Sequence, residues 1–174
     1  MQIQNMKSVA SAMIFIFALV LCVSSRSQSP KPPAAGSQEY VGTSPCGESV
    51  REFLGISRTH PCDKITWRLA FSPGIKTNSY KLVATFGLQE QSAPGFVDKG
   101  TTVALAGELQ MMTGTKSKPD ALVYEVKSGK PDRSLSFVMV NTNLLHLLDR
   151  DRNLMIGNEF WSYTLNQKGV GRDR

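Results

Sequence analysis

Ser134–Asn166 reads SLSFVMVNTNLLHLLDRDRNLMIGNEFWSYTLN, and its short apolar runs are separated by Asn, Asp and Gly. Leu135, Phe137 and Met139 occupy alternate positions, as do Leu145 and Leu147 and then Trp161, Tyr163 and Leu165. Alternation at period two marks strands with one face buried, and the polar breaks between them are turn chemistry. The stretch therefore reads as the end of a β-meander.

The same signal extends toward the N-terminus. In KITWRLAF, Ile65, Trp67, Leu69 and Phe71 share one face, and in YKLVATFGL, Tyr80, Leu82, Ala84 and Phe86 do so. The intervening SPGIKTNS is a turn, which makes the pair a hairpin. Thr101–Leu109 alternates weakly around Gly107, a residue that weakens a strand or marks a bulge. Leu122, Tyr124 and Val126 form a further strand. About eight short strands at intervals near a dozen residues predict an antiparallel sandwich or barrel. No segment is long enough for a βαβ unit, and no fixed repeat suggests a propeller.

One helix is expected. In GTSPCGESVREFLGI, Ser44 is a capping residue, Pro45 suits a first turn, and Val50, Phe53 and Leu54 fall at helical spacing before Gly55. Gly55 can close the helix in a left-handed conformation.

The ends of the chain carry other information. Lys7 precedes the apolar run Met13–Val23 and the small residues Ser24, Ser25 and Ser27. This is the layout of a secretory signal over residues 1–27, with an apolar run shorter than the roughly 20 residues of a spanning helix. Cys22 raises a rival reading, an acylated lipoprotein cysteine and an outer-membrane location, but Leu21 before it is larger than such sites prefer. Residues 28–37 are polar, Pro-rich and small, a flexible linker. Residues 38–166 then make one domain of about 130 residues, and residues 167–174 read as a basic disordered tail. The expected location is periplasmic or secreted.

The formal charge of +6 comes from 20 Lys and Arg against 14 Asp and Glu. Lys7, Arg26, Lys31, Lys168, Arg172 and Arg174 lie outside Gln38–Asn166, as does Asp173, which leaves 14 bases and 13 acids inside. A nearly neutral domain without a basic, aromatic-interleaved stripe excludes nucleic acid as the expected partner.

With the signal removed, Cys46 and Cys62 remain. An exported chain favours their pairing as a disulfide, and closing a loop of about 16 residues contributes roughly 3 kcal/mol in the chain-entropy view. A competing reading uses Cys46, His60 and Cys62 as soft ligands for copper, although no regular ligand cluster accompanies them.

Trp67, Tyr80, Phe86, Trp161 and Tyr163 could line a barrel mouth for an apolar ligand, or fill the core from inward strand positions. DRDRN at 149–153 starts like a calcium loop. Leu154 stands where that loop needs Gly and Phe160 where it needs Glu, so a charged hairpin turn is expected. No GxSxG, HExxH or Gly-rich phosphate loop is present, and Asp149, Asp151 and Glu159 show no acid and base pairing. A hydrolase is the least supported reading; no catalytic residue and no cofactor is expected.

Tyr40, Gly42, Pro45 and Cys46 in YVGTSPCG, the ITWRLAF strand, and Leu147, Leu148 and Asp149 before the last turn together resemble a known family. The resemblance is to the exported, lipocalin-like N-terminal domain of the copper-resistance (NlpE-like) envelope lipoproteins, and it spans most of Gln38–Asn166. It implies a small lipocalin-like antiparallel β-barrel, with copper binding or envelope-stress sensing as the associated roles. Ser49 stands at the second cysteine of that family's Cys-x-x-Cys, and the next cysteine is Cys62. The WSYTLN ending suggests a separate exported branch. The combined expectation is a non-enzymatic exported binding module for an apolar small molecule or a protein partner, with periplasmic copper binding as the alternative.

Overall fold

A computed structural model describes residues 37–169 except 75, 76 and 131. The expected signal peptide, Cys22, residues 28–36 and the end of the basic tail lie outside the described residues. The elements follow in the order β1 (Gln38–Pro45), α1 (Glu48–Leu54), β2 (Lys64–Ser72), β3 (Ser79–Gly87), β4 (Thr101–Thr113), β5 (Leu122–Lys127), β6 (Ser134–Asn141), β7 (Leu144–Leu148) and β8 (Thr164–Gln167). A single 3₁₀ turn, Val97–Lys99, precedes β4.

Each strand pairs antiparallel with the next, and β8 returns to β1 to close the barrel. The seam is short, Tyr40 opposite Gln167 and Val41 opposite Asn166. Gly42 makes that closure feasible, because a Cβ there would lie 2.4 Å from the Thr164 carbonyl oxygen. The mainly β barrel with one short helix is therefore as expected.

The alternating residues point inward. Ile65, Trp67, Leu69 and Phe71 of β2 and Tyr80, Leu82, Ala84 and Phe86 of β3 are all buried. They meet Leu135, Phe137 and Met139 of β6, Leu145 and Leu147 of β7, and Leu165 of β8 in one core. A smaller cluster of Ala121, Val123, Val138 and Leu148, flanked by Met112, forms a second apolar group.

Four expectations are corrected. The helix begins at Glu48 after Gly47, whereas Ser44 and Pro45 belong to β1, a strand the alternation of large apolar residues does not reveal. Gly107 is in continuous register with Tyr80, and the irregularity lies between Met139 and Asn141 instead. At Gly107 a Cβ would stand 3.2 Å from the Tyr80 ring, so this glycine makes room for an aromatic neighbour. The last strand starts at Thr164, leaving Trp161 and Tyr163 in the approach to it. It runs to Gln167, and the Lys168 amide donates to the Glu39 carbonyl at 2.7 Å, so the edge of the barrel lies slightly beyond Asn166.

The α1 helix explains one end of the barrel. Val50, Phe53 and Leu54 are buried in the core together with Ile56, and Gly55 terminates the helix at φ 74°. The amphipathic face thus plugs the end from which the long loops 46–63, 88–100 and 149–163 project.

Candidate functional site

The loop 46–63 is fixed by one disulfide and one guanidinium. Cys46 and Cys62 are bonded, with Cα atoms 5.9 Å apart. Arg51 donates from Nε to the Cys46 carbonyl at 3.1 Å and from its terminal nitrogens to the carbonyls of Ser57, His60 and Cys62 at 3.0, 3.1 and 3.3 Å. A planar cation with five donors is suited to collecting carbonyls that no helix or sheet satisfies. The helix therefore supplies the side chain that organises the loop behind it.

The three candidate copper ligands are not arranged as a donor set. Both sulfurs are in the disulfide, and the exposed His60 ring stands edge-on to Phe86 with centroids 5.5 Å apart. Among the described residues no group of three or more His, Cys, Asp or Glu side chains converges in a manner that could hold a metal ion.

The candidate ligand-lining residues divide in the same way. Trp67, Tyr80, Phe86 and Tyr163 are between 1% and 5% exposed and form part of the core. Their polar atoms turn to nearby groups: the Trp67 Nε1 donates to Ser44 Oγ at 2.8 Å, and the Tyr80 hydroxyl donates to the Lys127 carbonyl. Tyr40, Phe71 and Tyr124 form a row of mutually tilted aromatic rings through the interior, with centroid separations of 5.7 and 4.8 Å. A ligand cavity would leave accessible surface on its walls. Yet Tyr40, Ile65, Leu69, Leu82, Val126, Phe137, Leu145, Leu147 and Leu165 expose none, so this part of the interior is filled by side chains.

Burial raises the hydroxyl pKa values of Tyr40, Tyr80, Tyr124 and Tyr163. For Tyr124 the desolvation is reinforced by Tyr40, and for Tyr163 a backbone hydrogen bond from Gly47 acts in the opposite sense. These phenols remain neutral across physiological pH and act as packing groups.

Trp161 is the exception. It is partly exposed beside Phe160, with ring centroids 5.7 Å apart, at the edge of a recess of about 760 Å³. Its walls come from four segments: Pro45–Gly47, Cys62 and Asp63, Gln89 and Gln91, and Asn158, Phe160 and Trp161. Asn158 Oδ1 accepts from the amides of Phe160 and Trp161 at 3.0 and 2.8 Å, which turns both rings to this side of the loop. The Gln89 amide donates to Asp63 Oδ2 at 3.1 Å and ties the facing loop to the disulfide corner. The same β7–β8 loop exposes Leu154, Ile156 and Phe160 at 51%, 91% and 70%. Three exposed apolar side chains on one loop are the unusual feature of this end, because isolated ones elsewhere need no explanation.

DRDRN forms the expected turn. Asp149 accepts from the Asn153 backbone amide at 2.8 Å, and the Asn153 side-chain amide lies 3.3 and 3.0 Å from its two oxygens. These bonds, led by the side-chain amide, hold the Asp149 carboxyl below its usual pKa. Arg152, at φ 60°, reaches the Thr113 and Gly114 carbonyls and anchors the turn against the β4–β5 connection.

No family model, curated protein or solved structure matches the chain. Among the described residues no helix is long and apolar enough to cross a membrane. The loops at the α1 end, with Trp161 and Phe160, are the site the geometry offers. The sequence could have signalled it through Asn158 followed by Phe160 and Trp161, an Asx turn next to aromatics, had the tryptophan not been assigned to a strand.

Proposed function

We propose that this chain is a non-enzymatic binding module of the envelope or the secreted space that meets a protein partner through the loops at the α1 end. The observation that carries this reading is a contrast in packing. The side chains that would surround a ligand carried inside the barrel are packed against one another, while Ile156 and Phe160 extend into solvent beside a recess large enough for an apolar side chain of another protein. A rigid barrel bearing an exposed apolar loop is suited to recognition, since the scaffold holds the loop and the loop supplies desolvation energy on contact. The apparent secretory signal and the resemblance to an envelope domain favour the exported setting.

Site-specific photo-crosslinking in the expressing cell tests both parts. A photoreactive residue at Ile156 or Phe160 is expected to yield a discrete protein adduct in the exported fraction, and one at Lys81 on the barrel wall is expected to yield none. Equal adduct formation at all three positions, or no adduct at Ile156 and Phe160, rejects the loop as the contact surface. N-terminal sequencing of the exported chain would show cleavage after Ser25 or Ser27; an uncleaved chain retained in the cytoplasm rejects the exported setting.

A further inference from the structure

The strand β4 has two differently paired halves. Thr101–Glu108 is in register with β3, Phe86 to Ser79, on one side, whereas β5 joins β4 only over Leu109–Thr113. Among the described residues no strand pairs with the other edge of Thr101–Glu108. The Leu109 amide donates to the Asn78 carbonyl at 2.9 Å, so odd-numbered residues of this segment turn their backbone groups toward β3. By the alternation of an antiparallel ladder, Thr102, Ala104 and Ala106 direct theirs to the open edge. All three are exposed, and the inward-facing Val103 and Leu105 are only half-buried, which indicates that the barrel wall is incomplete beside them.

Natural sheets protect such an edge with lysines, prolines, bulges or a covering element. Residues 101–107 contain no charge and no proline. Their ladder with β3 runs without a bulge. An edge left in this state is a template for another strand.

We propose that a second copy of this chain docks on this edge, the two β4 strands pairing antiparallel about a two-fold axis through Ala104. This register sets Val103 of one copy opposite Leu105 of the other, so the half-buried apolar residues cover each other, and it places Thr102 opposite Ala106. Glu108 is the one charged residue of the segment, and its counterpart is Gly100, so no like charges are opposed. Because residues 101–107 carry no charge and the half-buried Val103 and Leu105 are equidistant from Ala104, the segment is its own complement, and this favours a second copy as the occupant.

Sedimentation equilibrium of the full chain, joined to amide hydrogen exchange, tests the dimer. The expected result is a monomer–dimer equilibrium in which the Thr102, Ala104 and Ala106 amides gain protection as concentration rises. Ala104→Pro removes an amide that faces the open edge and breaks no bond to β3, and Ala106→Lys adds a charge to the edge. Each is expected to raise the dimer dissociation constant by at least about tenfold with an unchanged circular dichroism spectrum. If Ala104→Pro does not fold, Ala106→Lys carries the test. A wild-type chain that stays monomeric up to about 1 mM overturns the proposal and leaves the edge to a foreign strand. So does a dimer that survives Ala106→Lys or leaves the three edge amides unprotected.

Discussion

The Trp67 indole donates its Nε1–H to the Ser44 hydroxyl at 2.8 Å, and both residues lie inside the barrel, 3% and 0% exposed. The serine is thus neither a cap nor a surface residue but the acceptor that permits a tryptophan to be buried whole. Removing the hydroxyl leaves the indole N–H without its partner in an apolar setting, which costs about 1 to 3 kcal/mol. Ser44→Ala is expected to lower the unfolding free energy by that amount, read in urea as a lower midpoint at an unchanged slope of the transition. Trp67→Phe, which removes the donor with most of the aromatic volume retained, is expected to rescue part of the loss when combined with it.

This pair also explains which parts of the fold were legible. β2 and β3 could be read because a wall strand with one buried face must alternate, and Ile65, Trp67, Leu69 and Phe71 do so without interruption. β1 uses the same geometry with Tyr40, Gly42 and Ser44 as its inward set, of which only the tyrosine is large and apolar. Gly42 is small because the seam with β8 is tight, and Ser44 is polar because it serves Trp67, so tertiary demands removed the pattern. The turn at DRDRN was legible because Asp149 and Asn153 make their bonds locally. The exposure of Trp161 was not, since it depends on Asn158 turning the chain just before β8. The open edge of β4 is a matter of register between strands, which no single segment records.

Tyr124 has a buried hydroxyl for which the described structure supplies no hydrogen-bond partner. Tyr124→Phe keeps the contact with Phe71 and removes the unsatisfied group, so it is expected to stabilise the protein by about 1 kcal/mol. Thermal unfolding at neutral pH decides this, and a fall in midpoint would mean that the hydroxyl has a bound water.

The buried tyrosines also set an alkaline limit. Their folded-state pKa values are raised above the unfolded value of 10.0, by burial first. The unfolded chain therefore loses these protons at lower pH than the folded one, so stability is intact below pH 10 and declines as pH rises above it. Phenolate absorbance is expected to appear together with loss of the near-ultraviolet circular dichroism signal in an alkaline titration. Tyr124→Phe should move that joint transition to higher pH, and a phenolate signal well before unfolding would show the phenols to be accessible.

Gly42 stands where β1 meets β8. An added Cβ would lie 2.4 Å from the Thr164 carbonyl oxygen and 2.7 Å from the Leu165 side chain, so the strands must separate to admit it. The seam is short, with Tyr40 opposite Gln167 and Val41 opposite Asn166 and one further bond from the Lys168 amide to the Glu39 carbonyl. Gly42→Val is expected to cost about 1 to 3 kcal/mol and to increase amide exchange in β8 ahead of the other strands. Uniform loss of protection across all strands would instead place the seam within a single cooperative unit.

The disulfide loop separates stability from metal chemistry. A cross-link spanning 16 residues contributes about 3 kcal/mol through the unfolded chain, and replacing both Cys46 and Cys62 with Ser is expected to lose about that much. Arg51→Ala should add to the loss, because the carbonyls of Cys46, Ser57, His60 and Cys62 lose the guanidinium, Ser57 keeping only the His60 amide, while the helix face of Val50, Phe53 and Leu54 stays intact. In the oxidised protein neither sulfur is a thiolate, so calorimetry with Cu(I) is expected to give no binding heat. After reduction, Cys46 and Cys62 remain on neighbouring segments held by Arg51, and any uptake should disappear in the double Cys→Ser variant. Copper binding by the oxidised chain, or uptake unchanged in that variant, would move the metal site away from this loop and remove His60 from the set of candidate ligands.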